Sequence, residues 1–373
     1  METQKKILLV QLFSYGDCLY ATAVARQIKQ DYPGCHLTWA IASFCKDILN
    51  GNPYVDEVRV VNDAKKNDAE WYRNFEKEIL KEQSLYQEIF ITNALGKNQA
   101  YYNGCIRSNI FNAYPHKITV PVSPVVRLNT QELQKAADFA NKHNLTDYKH
   151  VVLFEYAPQS GQSALSKDFA ITVAEKIFDK TGAAVILSSA NKVLHKNIAI
   201  IDGSALTFRE TAALTHYCTF LIGSSSGITW ISTSDAARQL PMVQLLNANA
   251  FWANPVSRDF KRFGLPVNEV IELVKFDTST VINCVSEAFN NFLAAKEKYN
   301  QEIPLKFKST RRIVYNLLVY REFGAIIKHI QCNNAAYGLN INFYTQVGIT
   351  FIIFPIKLIR NIFVKRILGK AVK

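Results

Sequence analysis

Short apolar runs alternate with longer helix-like segments along this chain, and the alternation restarts near residue 151. Residues 7–12 are apolar except for Gln11, a Gly-Asp turn follows, and residues 19–30 read as a helix ending near Pro33 and Gly34. Segments 37–42, 58–61, 89–92 and 118–120 are further strands, with helices expected over 44–49, 70–83 and 101–112. Continuous apolar runs flanked by helices mark a parallel sheet covered on both faces. A helix over 131–143 bridges to the next unit. There, strands at 151–156, 183–188, 199–201, 220–223 and 242–246 alternate with helices at 169–180, 207–216 and 228–237, closed by a long helix at 277–299. Two consecutive βα series predict an α/β protein of two doubly wound parallel-sheet domains, residues 1–145 and 146–303. Ligands of such sheets sit beyond the carboxyl ends of the strands, so the cleft between the halves is the expected site.

Charge divides the chain differently. The formal net charge is +12, and residues 304–373 hold twelve Lys or Arg against the single acid Glu322, so +11 of it lies in that stretch. A nearly neutral body argues against a nucleic-acid-binding surface. A basic, apolar tail points to anionic lipid. Residues 341–359 approach the length of a spanning helix, but Asn342, Gln346, Gly348, Pro355 and Lys357 interrupt them, and an interfacial helix fits better. Packing of the tail back onto the first domain is the other expectation. Seven scattered cysteines without a C-x-x-C pair suggest a reducing cytosol, and no secretory signal is read at the start. The histidines show no metal-ligand spacing, so no metal is expected.

Four polar segments carry possible chemistry. Ser14, Gly16 and Asp17 lie between the first strand and the first helix. A carboxylate there can take a proton from an acceptor hydroxyl, although aspartate is also an ordinary residue at a helix start. Gly223-Ser224-Ser225-Ser226-Gly227 precedes a helix and has the small residues of a diphosphate cradle, or of a serine-rich cap. The loop Gln159-Ser160-Gly161-Gln162-Ser163, with Lys167 after it, offers hydroxyls, amides and an ammonium to phosphates or sugar hydroxyls; a plain solvated loop has the same composition. Glu210, beside Arg209, can accept from a ribose or form a surface pair. A dinucleotide site is disfavoured, since G-x-G-x-x-G is absent.

The order Lys6-Ile7-Leu8-Leu9-Val10, Ser14-Tyr15-Gly16-Asp17, Tyr32-Pro33 and Asn52-Pro53-Tyr54-Val55-Asp56-Glu57-Val58 resembles glycosyltransferase family 9, the lipopolysaccharide heptosyltransferases. In the second half, residues 206–214 resemble the family's Arg-Glu helix, and Gly223 to Trp230 resemble its Gly-x-Asp-Ser-Gly-x-x-His signature. Ser225 stands at the aspartate position and Trp230 at the histidine position. The resemblance implies a GT-B fold of two Rossmann-like domains with a basic helical C-terminal extension. It implies an inverting, metal-independent glycosyltransferase of the cytoplasm, with Asp17 as catalytic base and no cofactor beyond the nucleotide-sugar donor.

The expected partners are a nucleotide sugar, a lipid-linked glycan acceptor (lipopolysaccharide core, O-antigen or capsule) and an anionic membrane surface reached through residues 304–373. No nucleic acid is expected. The enzyme would be peripheral on the inner face of the bacterial inner membrane. Ser14, Gly16, residues 159–163, Lys167, Lys192, Glu210 and residues 224–227 would bind substrate. Lys167 and Lys192 are the cations that would offset the leaving diphosphate. The alternative is a non-catalytic sugar-nucleotide-binding or scaffold protein of a glycan assembly complex.

Overall fold

The computed structural model describes residues 4–66, 68–156, 158 and 160–368, with side chains through Arg360. The first unit runs β1 (Lys6–Val10), α1 (Tyr15–Asp31), β2 (His36–Ala42), β3 (Glu57–Val61), α2 (Ala69–Leu80), β4 (Glu88–Ile91), α3 (Ile106–Ala113) and α4 (Thr130–Lys142). Its four strands are parallel in the order β3-β2-β1-β4. The second unit runs β5 (Val151–Glu155), α5 (Lys167–Thr181), β6 (Ala184–Ser188), β7 (Ile200–Asp202), α6 (Phe208–Leu214) and β8 (Phe220–Gly223). It continues through α7 (Gly227–Ile231), β9 (Met242–Leu245), α8 (Val256–Arg262), β10 (Val270–Leu273), α9 (Thr278–Asn290) and α10 (Phe292–Tyr299). Its six strands are also parallel, ordered β10-β9-β8-β5-β6-β7. Strand order reverses beside β1 and beside β5. Those switch points place the loops after β1, β5 and β8 on the ligand-binding edges of their sheets.

Several expected elements differ. Residues 118–120 are not a strand, because the Gln27 side chain of α1 accepts the Thr119 and Val120 N–H groups (2.7 and 3.1 Å) that a sheet neighbour would take. The helix expected over 228–237 ends at Ile231; Thr233 Oγ1 donates to the Trp230 carbonyl (2.8 Å), so a hydroxyl competes with the backbone ladder. The closing helix breaks at Asn291, whose side chain accepts from Ala294 N–H and caps α10. Strand β10 and helix α8 have no counterpart in the sequence reading.

The two sheets share one apolar cluster, and the second sheet packs a further one of its own, with Val152, Phe154, Val185 and Val243 against α5 and α9. Buried residues of β1, β2 and α1 join Trp230, Ile231, Leu240, Met242, Val256 and Phe260 of the second unit in one continuous apolar cluster. After α10 the chain returns to the first unit, where α11 (Lys308–Val319), α12 (Phe323–Tyr337) and α13 (Ile341–Leu368) follow. Helices α11 and α12 bury Ile313, Val314, Leu317 and Ile326 against Ala100 and Tyr102. Buried His329 donates from Nδ1 to the Ala100 carbonyl (3.0 Å), and Asn333 Nδ2 donates to the Tyr102 carbonyl (3.2 Å). The front of the expected membrane-associating tail is thus part of the first unit's own packing, because it carries enough apolar surface to close a third cluster there.

Candidate active site

Helix α1 begins directly after the β1 loop, with Ser14 as its N-cap. The Ser14 backbone N–H donates to Asp17 Oδ2 (3.4 Å). Asp17 itself is only partly exposed. Burial raises its pKa to about 6, against the pull of the Ser14 N–H and the positive charge of Lys66. Lys66 comes from the loop after β3 and has no motif around it, so nothing in the sequence singled it out.

The start of α1 meets the turn 223–227 of the second unit. A methyl group at Gly16 would lie 3.3 Å from Trp230 Cδ1, and one at Gly227 would lie 3.0 Å from the Phe208 ring. Tyr15 packs on Phe208 with ring centroids 4.7 Å apart, and Tyr20 packs edge-on against Trp230 at 5.0 Å. Gly16 therefore serves close approach of the two units, and Gly227 serves packing of its turn on α6. Trp230, at the family's histidine position, is a buried wall of that seam.

The turn itself is already occupied by a carboxylate. Glu155, the last residue of β5 and buried, accepts from Ser224 N–H (2.9 Å), Ile228 N–H (3.0 Å), Ser226 Oγ (2.8 Å) and Thr229 Oγ1 (2.7 Å). Ser225 donates its N–H to Gln244 Oε1 (2.8 Å) and its hydroxyl to the Asn254 carbonyl. Of the diphosphate cradle expected of Ser224, Ser225, Ser226 and Gly227, the Ser224 and Ser225 N–H groups are thus taken up within the protein, as is that of Ile228. Local composition could not reveal this, because Glu155 is about 70 residues away in sequence.

The other expected contacts separate. Glu210 accepts from the Thr207 N–H at the start of its own helix (2.7 Å) and pairs with Lys135 of α4 (2.9 Å). Arg209 pairs with Glu132 of α4 (2.6 Å). This pair clamps α6 to the first unit, which differs from the ribose contact read for Glu210. Gln162 holds the 247–254 loop, donating to the Trp252 carbonyl and accepting Asn254 N–H (3.1 Å). Ser160 accepts Gln162 N–H (3.4 Å), and Gly161 takes φ +72°. Ser163 Oγ is buried with no partner among the described residues. Lys167 Nζ lies 3.4 Å from the Lys192 carbonyl, so the loops after β5 and β6 bring these two cationic residues side by side. Gln159 lies outside the described residues. A cavity of about 50 Å³ beside Tyr102, Arg258 and Phe307 sits under the returning segment, apart from these groups.

No family model and no curated protein matches the chain. Solved structures do. The ADP-heptose lipopolysaccharide heptosyltransferase II of E. coli superposes with a TM-score of 0.51 at 14% identity, over 78% of this chain and 99% of that one. The chain has the fold of the lipopolysaccharide heptosyltransferases. A glycosyl transferase family 9 structure from Veillonella parvula matches over 80% of this chain and 96% of that chain, at 16% identity and a TM-score of 0.49. A UDP-GlcNAc 2-epimerase from Neisseria meningitidis matches over 84% and 100%, at 12% identity and 0.45. The GT-B architecture expected from the sequence is present, with its helical C-terminal extension.

Proposed function

We propose that this chain is a glycosyltransferase that moves a sugar from a nucleoside-diphosphate donor to a lipid-linked glycan acceptor at the cytoplasmic face of a bacterial inner membrane. One observation carries the reading: a carboxylate with a pKa raised to about 6 stands at the start of α1, where the first unit meets the strand-end loops of the second. Such a group is mostly ionised at neutral pH and basic enough to take a proton in the transition state. Asp17 receives the proton of the acceptor hydroxyl as its oxygen bonds to the anomeric carbon. The bond from that carbon to the diphosphate oxygen breaks, and the nucleoside diphosphate departs. Attack opposite the leaving group inverts the centre. The departing charge is met by Lys167 and Lys192, a reading that calls on no metal.

Because Glu155 fills the 223–227 turn, the donor phosphates lie instead against the loops that bear Ser160, Ser163, Lys167 and Lys192. An ADP-sugar heads the donors to test, since the heptosyltransferase of like fold is named for ADP-heptose; GDP-, UDP- and CMP-sugars follow. The deciding experiment is Asp17→Asn in a transfer assay with the donor that stabilises the chain in thermal shift. Turnover is expected to fall by about 10²–10⁴-fold with the fold retained. Near wild-type turnover would remove Asp17 as the base.

A second reading is a non-catalytic sugar-nucleotide-binding or scaffold protein. The occupied turn and the tryptophan wall favour it. Donor binding without transfer or hydrolysis across that panel would decide for it.

A further inference from the structure

We propose that the outward face of α13 docks on an anionic lipid surface, lying in the interface plane rather than crossing it. Helix α13 has two apolar stripes. Phe343, Val347, Thr350 and Phe354 recur every three or four residues; the first three are buried, and Phe354 packs edge-on against Tyr315 of α11 at 5.7 Å. Nine residues beyond Phe343, at 3.6 residues per turn, Ile352 points the opposite way. Ile341, Ile356 and Ile359 share that outer side, and the four isoleucines are 81, 72, 68 and 57% exposed in chain order. A surface helix of a globular protein normally shows solvent a polar face. Leu339, before α13, and Phe323 and Ile327 of α12 are exposed as well.

Charge selects the occupant. Residues 304–373 carry +11, with Arg360 on the flank of the isoleucine stripe, while Lys357 reaches over the Tyr315 ring of α11 at 5.8 Å. Long basic side chains beside an apolar stripe place their stems in the acyl boundary and their heads among anionic headgroups. A second copy of the chain would bring like charge to the same stripe, and a nucleic acid offers nothing to isoleucine.

Residues Ile341–Arg360 are long and apolar enough to span a bilayer. The stripe from Phe343 to Phe354, however, is committed to α11 and its neighbours, and Pro355, Lys357 and Arg360 lie within the same length. An interfacial helix keeps those contacts, whereas a spanning helix would break them.

The test uses the full chain in flotation with vesicles of phosphatidylcholine alone or mixed with phosphatidylglycerol, and needs no sugar donor, so its outcome is separate from the transferase reading. Wild type is expected to float with the mixed vesicles and to stay down with the neutral ones. Ile352→Glu with Ile356→Glu, and separately Arg360→Glu, should each weaken binding about tenfold or more, with unchanged melting. Equal flotation of wild type and the isoleucine variant, or equal binding to neutral vesicles, overturns the proposal. So does a dimer in size exclusion that the isoleucine variant dissociates while no vesicle binds. Cell membranes that retain the chain through alkaline carbonate would overturn the interfacial placement.

Discussion

Asp17 works against the fold that holds it. Its folded pKa of about 6 lies above the value near 3.9 of an unfolded aspartate, so the chain loses stability as pH rises from about 4 through 6. Asp17→Asn should melt like wild type at pH 4 and higher than wild type at pH 8, while losing transfer. The acid limb of kcat/KM should fall near pH 6. Lys66→Met removes a charge that lowers the Asp17 pKa and should move that limb to higher pH, read from the same profile. Glu155 has the opposite character. Glu155→Ala leaves two N–H groups and two hydroxyls facing a buried void and should cost about 3 kcal/mol or more in denaturant unfolding. The position of Asp17 in the first turn of α1 was legible because a Gly-Asp pair stands between a strand and a helix. Glu155 was not, because it reads as the end of an apolar strand and acquires its meaning only when β5 and β8 pair.

At the scale of elements, the alternation of apolar runs and helices was enough for nine of the ten strands. Strand β10 escaped because Glu272 interrupts the apolar run Val270–Leu273, and that glutamate is buried only once the strand is paired. The 118–120 segment looked like a strand because it is apolar, yet one glutamine side chain satisfies its N–H groups and leaves it outside the sheet. Helix α12 carries a pH dependence of its own. Burial lowers the His329 pKa to about 4, against the raising influence of the hydrogen bond to Ala100. A histidine depressed in the folded state contributes stability above its unfolded value near 6.5, and that stability is lost as pH falls towards 4. Hydrogen exchange over 308–337 should therefore accelerate between about pH 6.5 and 4, and His329→Gln should flatten the change.

For the whole molecule, the decisive feature is the shared core. Arg107 of α3 and Asp259 of α8 form an ion pair at 3.0 Å with both side chains fully buried, and the guanidinium lies over Tyr20 and Trp230. Arg107→Met strands the Asp259 carboxylate and should cost about 3–5 kcal/mol. With the apolar cluster continuous across the seam, calorimetry should show one unfolding transition instead of one per sheet. Two sheets were readable in the sequence; that they share a core was not, since the residues that join them lie more than 100 positions apart. The return of the chain after α10 has a mechanical meaning as well. A body held by one thread can swivel freely, whereas this one is held by two, after α4 and before α11. Twisting about either thread strains the other. The second thread therefore adds a covalent constraint to a seam that the shared apolar cluster already closes.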